Sequence, residues 1–389
     1  MVEASRTYPA RPMDTAWSDD ATVPLRHRVW WTADAFHAPT RCWHEALEGL
    51  EGHCVAFVDS GVAQAWPALA ERLHAVVKET GLDRVSLRGV EIIPGGEACK
   101  DGFAQAERVS RACFELGVSR QGGVIAIGGG AVLDAVGFGA AIAHRGVPVI
   151  RVPTTSLAQD DSAMGVKCGV NAFGQKNALG AFAAPHAVLC CERLLSSLSL
   201  EHWLGGFSEA VKIALLKDPD LLDTLERDAA RIRARDMQAA RPVLRRCAQL
   251  HRAHILQGGD PFEQGSARPL DHGHWAAHRL EALSGWRLPH GQAVAIGIAI
   301  DAHVSRALGL LSAIDAARIV ALLQALGLPV FHPLMQPVDR LIEGLEQFRQ
   351  HLGGHLSVPL ILKPGVSREM HAIPAEAVQE ACRTLADRV

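Results

Sequence analysis

Aromatic residues are scarce in this 389-residue chain, at 5% of its length and with a single tyrosine. A nucleic-acid binder needs stacking faces and a basic surface. Neither is present, since 39 basic residues are set against 42 acidic ones and no basic block stands out. No apolar run approaches the ~20 residues of a membrane span. No C-x-x-C pair occurs among Cys42, Cys54, Cys99, Cys113, Cys168, Cys190, Cys191, Cys247 and Cys382. An odd, scattered set of this kind argues against a disulfide framework or a zinc ribbon and for the reduced thiols of a cytoplasmic protein. From Met1 to about Thr22 the chain is polar and Pro-bearing, without the apolar centre of a signal peptide. Residues 1–25 read as a flexible arm.

What is present is a change of rhythm. Short apolar runs at Cys54–Asp59, Val90–Pro94, Gly123–Ile127 and Val147–Val152 have the length and flanks of buried parallel strands. Helical spacing at Trp66–Thr80, Ala104–Leu116 and Ala131–Ala143 separates them. Alternation of this kind predicts a doubly wound parallel α/β sheet over 26–190. Beyond it, Leu194–Leu216, Pro219–Ala234, Ala239–Leu256, Gly273–Leu283, Gln292–Leu308 and Ile314–Leu326 are all helical in period, which predicts a mainly α-helical domain over 191–389.

The third strand runs into Ala126-Ile-Gly-Gly-Gly-Ala-Val-Leu-Asp134. Glycines between a strand and a small-residue helix let a phosphate approach the free N–H groups at the helix start. G-x-G-x-x-G is missing, so taken alone the run reads equally well as a tight turn. The other strand ends add weight: Asp59, then Pro94-Gly-Gly-Glu97-Ala-Cys-Lys100, then Thr154-Thr155. Together they predict a ligand with phosphate and ribose groups at the carboxyl edge of the sheet.

A second set follows. Asp161, Lys167, Lys176 and Asn177 lie among glycines between apolar segments. A solvated loop has such a composition too, but cations and amides held between apolar segments need partners, and an anionic, polyhydroxylated substrate supplies them. Glu209 and Lys212 share one helix face, either as a surface ion pair or, given the apolar residues around them, as part of a site. His274 and His278 stand one helical turn apart, and His290 follows in Leu-Pro-His-Gly. A lone histidine is usually a core residue. Several in a Pro/Gly-marked stretch, with Glu209, make a Glu plus two His set that leaves positions open, the catalytic arrangement for zinc.

In order and spacing these motifs, from about residue 50 to 360, resemble the dehydroquinate synthase-like sugar phosphate cyclases, and among them the branch encoded in bacterial and algal Ebo gene clusters. The resemblance implies a divalent metal, zinc or alternatively cobalt, held by Glu209, His274 and His290. It implies a substrate pocket of Asp161, Lys167, Lys176, Asn177, Lys212, Arg268, Asp271 and His278. It implies NAD contacts from Asp59, Glu97, Lys100, Gly129, Gly130, Asp134, Thr154, Thr155, Lys176 and Ser197. It also implies a homodimer in which Arg145 reaches the neighbouring active site.

The chain departs from the family at four places. Asp271 replaces the usual Asn, Arg268 is one residue closer to it, Arg252 stands for a pocket lysine, and Arg349-Gln350-His351 replaces a C-terminal lysine pair. An added carboxylate disfavours a second anionic group on the substrate. That tilts the expectation from dehydroquinate synthesis towards a neutral-headed seven-carbon sugar phosphate. The implied reaction is redox-neutral: transient oxidation by NAD, phosphate elimination, re-reduction and intramolecular aldol closure, with His278 expected to relay a proton near neutral pH. The alternatives are 3-dehydroquinate synthase proper, a metal-dependent polyol dehydrogenase of the glycerol dehydrogenase kind, and a non-catalytic descendant that binds a sugar phosphate.

Overall fold

The computed structural model describes residues 17–19, 24–37, 41–258, 262 and 269–387, with residue 351 described by its backbone alone. The expected arm lies outside these residues except for 17–19, 24 and 25, and Arg268 lies outside them altogether.

The chain first builds β1 (Val29–Thr32), α1 (Arg41–Leu47), β2 (Gly52–Asp59), α2 (Ser60–Ala65), α3 (Leu69–Glu79), β3 (Val85–Ile93), α4 (Ala104–Glu115), β4 (Gly123–Gly128), α5 (Gly130–Ile142) and β5 (Val149–Pro153). Then come α6 (Ser156–Asp160), the antiparallel hairpin β6 (Lys167–Ala172) and β7 (Gln175–Phe182), and β8 (Ala187–Cys191). Six strands pair in parallel in the order β1-β8-β5-β4-β2-β3. The four predicted strands are all in this sheet. The reading missed β1, a four-residue, half-buried edge, and β8, a short apolar run with no periodicity of its own.

Alternation along the strands fills both faces. Val55, Phe57, Val124, Ala126 and Val188 pack under α4 and α5. Cys54, Ala56, Ile125, Ile127, Ile150 and Leu189 pack under α1 and α3. Connections leave β2 and β4 towards opposite sides of the sheet. Their carboxyl ends, Asp59 and Gly128, therefore flank the crevice where open α/β sheets bind ligands.

After β8 the chain is helical: α7 (Glu192–Leu195), α8 (Leu200–Lys217), α9 (Pro219–Arg233), α10 (Met237–Gln257), α11 (His274–Leu283), α12 (His290–Ala307), α13 (Ala313–Leu326) and α14 (Val338–His351), then the hairpin β9 (Val358–Lys363) and β10 (Val366–Met370), and α15 (Ala375–Ala386). One continuous core runs from Leu195 to Leu385, with α8 and α12 buried almost all round. Among the described residues no helix is long and apolar enough to cross a membrane.

Candidate metal centre and adjoining pocket

Three helices converge at one point because glycines let them. α8 is capped by Ser199, whose hydroxyl accepts from the His202 N–H, and runs past Gly205 to Glu209. A Cβ on Gly291, next to His290, would lie 2.4 Å from the Gly205 backbone. A Cβ on Gly297 would lie 2.0 Å from the carbonyl of Gly273, which itself holds the left-handed φ of +78° just before His274.

These approaches bring Glu209, His274 and His290 together. The Nε2 atoms of His274 and His290 lie 3.7 and 3.6 Å from Glu209 Oε1, and ligand atoms of all three fall within 4.8 Å of one another. Around a tetrahedral ion with bonds of ~2.0–2.2 Å, adjacent ligand atoms stand about 3.4 Å apart. Little movement would close this set on a divalent cation. Glu209 is fully buried and neither oxygen receives a well-directed hydrogen bond, although Lys212 Nζ stands against Oε2. Burial works to protonate this carboxyl, but Lys212, His290 and His274 outweigh it and hold it ionised. Lys212 serves Oε2, and a cation at Oε1 would complete the pairing of this buried carboxylate.

The two histidines differ in charge. Burial and then Lys212 bring His274 down to about 4, so its ring is neutral. Burial works against charge on His290 too, yet the Glu281 carboxylate, 3.1 Å from its Nδ1, lifts it to about 9. His290 thus presents Nε2 to Glu209 and Nδ1 to Glu281, the carboxylate–histidine–metal pattern that fixes a ligand's tautomer.

A histidine binds metal only in its neutral form, so an ion binding here below about pH 9 displaces the His290 proton. Apparent Zn2+ affinity is expected to rise with pH, by up to about tenfold per unit, and to level above 9. Calorimetry of Zn2+ binding in buffers of different ionisation enthalpy should count close to one proton released near pH 7.5. No proton release would show that His290 is not a ligand.

Asp301 steadies the other histidine. Buried on α12, it accepts from the Gly273 N–H at 2.7 Å and the Trp275 indole at 2.8 Å, pinning both neighbours of His274. His272, which the sequence groups with the others, is turned away, its Nδ1 2.8 Å from the Pro359 carbonyl.

A cavity of about 220 Å³ opens beside His274. Asp161, Lys167, Asn177, Lys212, Asp271 and Asp134 line it, so six of the expected residues share one wall. Lys212 is buried against Glu209 rather than on the surface. His251 of α10, absent from the sequence reading, also lines the cavity, with Nδ1 2.6 Å from Asp161 Oδ1. Lys176 faces another way: its Nζ lies 2.5 Å from Glu281 Oε1, behind His290. His278 packs against both His274 and His290, with ring centroids 5.5 and 6.0 Å away. Burial takes His278 well below its ordinary pKa. Near neutral pH its ring is therefore neutral and a weaker base than a free imidazole, which differs from the expectation of a ring poised at neutrality.

Of the expected NAD residues, Asp59, Gly129, Gly130, Thr154 and Thr155 lie at the carboxyl edge of the sheet. Gly129 caps α5 with extended backbone and no side-chain hydrogen bond, leaving the helix N–H groups open. A Cβ on Gly129 would meet Thr155 at 3.2 Å and one on Gly130 would meet Ser162 Oγ at 2.7 Å, so the backbone forms a cradle that side chains would fill. Thr155 caps α6, accepting from the Ala158 N–H, and the Thr154 N–H donates to Gly128. Asp59 caps α2 and faces Gly95, where a Cβ would collide with its carboxylate. Glu97 and Lys100 are engaged within the protein: Asn171 Nδ2 donates to Glu97 Oε1 at 2.8 Å, and Lys100 Nζ donates to Asp134 at 2.6 Å and to Asn177. They hold the β6–β7 hairpin over α5. Ser197, exposed, accepts from the Trp66 indole at 3.1 Å.

Arg145 is apart from all of these. It follows the far end of the 13-residue α5, about 20 Å from Gly130 at 1.5 Å per residue, exposed and with φ of +65°.

The two halves match the families described as 3-dehydroquinate synthase N-terminal, over residues 90–205, and 3-dehydroquinate synthase C-terminal, over 206–350. The chain is 36% identical to a 3-dehydroquinate synthase of Pelobacter propionicus over 291 residues, 75% of this chain and 78% of that one. It is also 36% identical to a 2-epi-5-epi-valiolone synthase of Streptomyces glaucescens over 301 residues, 76% and 77%. Among solved structures, the 2-epi-5-epi-valiolone synthase ValA of Streptomyces hygroscopicus, with NAD+ and Zn2+ bound, superposes with a TM-score of 0.86 at 29% identity over 96% of this chain and all of that one. A probable glycerol dehydrogenase of Sinorhizobium meliloti shares the fold, with a TM-score of 0.62 at 16% identity over 94% and 97%.

Proposed function

The chain belongs to the 3-dehydroquinate synthase family, and we propose that it is an NAD- and divalent-metal-dependent sugar phosphate cyclase, a carbon–oxygen lyase that eliminates phosphate and closes a seven-carbon sugar phosphate into a carbocycle. The observation that carries this reading is the lysine- and amide-lined cavity, with Lys167, Asn177 and Lys212, opening directly on the ligand His274. A polyol dehydrogenase needs the metal but has no use for a wall that neutralises phosphate. Membership of the Ebo-cluster branch is part of the proposal and rests on the Asp161–Lys167, Gly169–Gly174 and Arg268–His278 motifs.

When bound, NAD would take a hydride from the substrate and return it, and the metal, zinc or cobalt on Glu209, His274 and His290, would act as a Lewis acid. The chain's own residues do the rest. Lys167 and Asn177 bind phosphate oxygens by charge-assisted hydrogen bonds. Lys212 and Asp161 orient ring hydroxyls beside His274. His278, neutral and packed against the rings of His274 and His290, is assigned the relay of a proton during elimination. Glu97, Lys100, Asp134, Thr154, Thr155, Ser197 and the Gly129–Gly130 backbone hold the dinucleotide. Lys176, set against Glu281, shares in charge balance behind His290. Arg268 is assigned to the substrate pocket by resemblance alone.

Asp161 and Asp271 both face the cavity, which favours a substrate with a single anionic group over one carrying phosphate and carboxylate together. We assign the active form as a homodimer in which Arg145 serves the neighbouring site. Exposed Phe114 and Ile142 beside the bend at His144 give that end of α5 an apolar surface to cover. Eight of the nine cysteines, Cys54, Cys99, Cys113, Cys168, Cys190, Cys191, Cys247 and Cys382, are free thiols in the buried interior, with burial pushing them up; this suits a reducing cytoplasm.

Chelator-stripped protein should release no phosphate from sedoheptulose 7-phosphate and recover with NAD plus Zn2+ or Co2+. Faster turnover of the dehydroquinate synthase substrate, which carries both carboxylate and phosphate, would reverse the assignment made from Asp271.

A further inference from the structure

An arginine stands in the middle of a buried strand. β5 reads Val149-Ile-Arg-Val-Pro, lies between β4 and β8, and is buried at every position. Ile150 and Val152 pack on one face of the sheet. Arg151 projects with Val149 to the other face, beneath α5, and is 1% exposed. Parallel strands covered on both faces ordinarily hold only apolar side chains, and a buried guanidinium needs strong compensation.

Arg151 makes no ion pair among the described residues. Its compensation is entirely backbone. Nη1 donates to the carbonyls of Gly165 at 2.6 Å, Ala163 at 3.3 Å and Ser162 at 3.4 Å, and Nη2 donates to that of Lys167 at 3.2 Å. Four carbonyls of one six-residue segment thus converge on a single side chain. No other residue type offers enough donors in one plane to do this.

The segment it grips joins the two halves of the site. Asp161, at its start, meets His251 in the cavity. Ser162 Oγ sits where a side chain on Gly130 would fall, against the α5 cradle. Gly165 and Lys167 line the cavity wall. A shift of this backbone would move the phosphate-binding lysine and the cradle wall together.

We propose that Arg151 is a positioning residue: its guanidinium, anchored in the rigid sheet, sets the 162–167 backbone so that Asp161 and Lys167 face the substrate and Ser162 closes on Gly130. The catalytic consequence rests on the cyclase reading above, whereas the structural one does not. The test is therefore in two parts, using the full-length protein with Zn2+ and NAD and the variants Arg151→Lys and Arg151→Gln.

Hydrogen exchange comes first, because it is independent of the reaction. Amides of 162–168 should exchange at least about tenfold faster in both variants, with β4 and α12 unchanged. Equal exchange in that segment, or loosening spread over the whole fold in both variants, would overturn the proposal. Kinetics follow on whichever substrate the wild type turns over. A misplacement of about 1 Å costs on the order of 100-fold, and a loss of that size in kcat/KM is expected for Arg151→Lys with zinc content intact. The double variant with Lys167→Ala should lose little more than Lys167→Ala alone, since both disable the same contact. Fully additive losses, or wild-type kcat/KM in Arg151→Lys, would refute positioning. Faster local exchange in a protein whose wild type releases no phosphate would leave the clamp standing and sink the cyclase reading instead.

Discussion

His274→Ala is expected to leave a folded protein that neither retains zinc nor turns over. His274 is the first residue of α11, and its ring reaches across to Glu209 without carrying the packing of the helix, which Trp275, Ala276, Ala277 and Leu280 supply. Two ligands remain, and two ligands hold a divalent ion poorly. The Lewis acid contributes several kcal/mol to such a reaction, so kcat should fall by at least about 10³-fold. Glu209→Gln removes the one anionic ligand and leaves Lys212 buried without its partner, so it should lose stability as well as metal. Zinc content by atomic absorption, with the melting temperature alongside, separates the two effects. A metal-replete, active His274→Ala protein would refute the ligand assignment.

Arg145→Ala should be nearly as damaging to turnover while leaving metal and NAD binding untouched, because in its own chain the residue is about 20 Å from the cradle along α5. If it completes the neighbouring site, the defect can be complemented. Arg145→Ala and His274→Ala subunits, each inactive alone, should regain activity when dissociated and reassociated together. In a mixed dimer one site carries both defects and the other none, so random mixing restores about one quarter of wild-type activity. Recovery requires the dimer and the shared site at once. A mixture as inactive as its components would show that Arg145 does not act across a subunit boundary.

Much of this arrangement was legible in the chain because its signals were local. Gly128–Gly130 follow a strand directly, and His274 and His278 are one turn apart, so short-range pattern sufficed. Residue type alone suggested joining Glu209 and His290 to them across 81 residues, and the resemblance fixed which histidines belong to the set. What escaped the reading lay in long-range packing. Glu281 is seven residues after His274 on the same helix face, a spacing that marks a core position as readily as a support for His290. Asp301 and His251 enter the site only because α12 and α10 fold back over it. Arg151 carried a signal, a charge inside an apolar strand, that went unused because strand assignment weighs the run and not the exception. The C-terminal elements α14, β9, β10 and α15 were not assigned at all, though α14 and α15 carry apolar faces at helical spacing. The internal partners of Glu97 and Lys100, namely Asn171, Asp134 and Asn177, were likewise invisible to local pattern, since the β6–β7 hairpin and α5 bring them in.

The central claim is a phosphate-eliminating reaction in which NAD is oxidant and reductant by turns. It is tested most directly by following inorganic phosphate and nicotinamide absorbance together, during turnover of sedoheptulose 7-phosphate and related seven-carbon sugar phosphates with catalytic NAD and Zn2+. The account predicts many phosphates released per NAD present, with no steady accumulation of NADH. NADH rising in step with substrate consumption, without phosphate release, would identify a polyol dehydrogenase on this fold and contradict it.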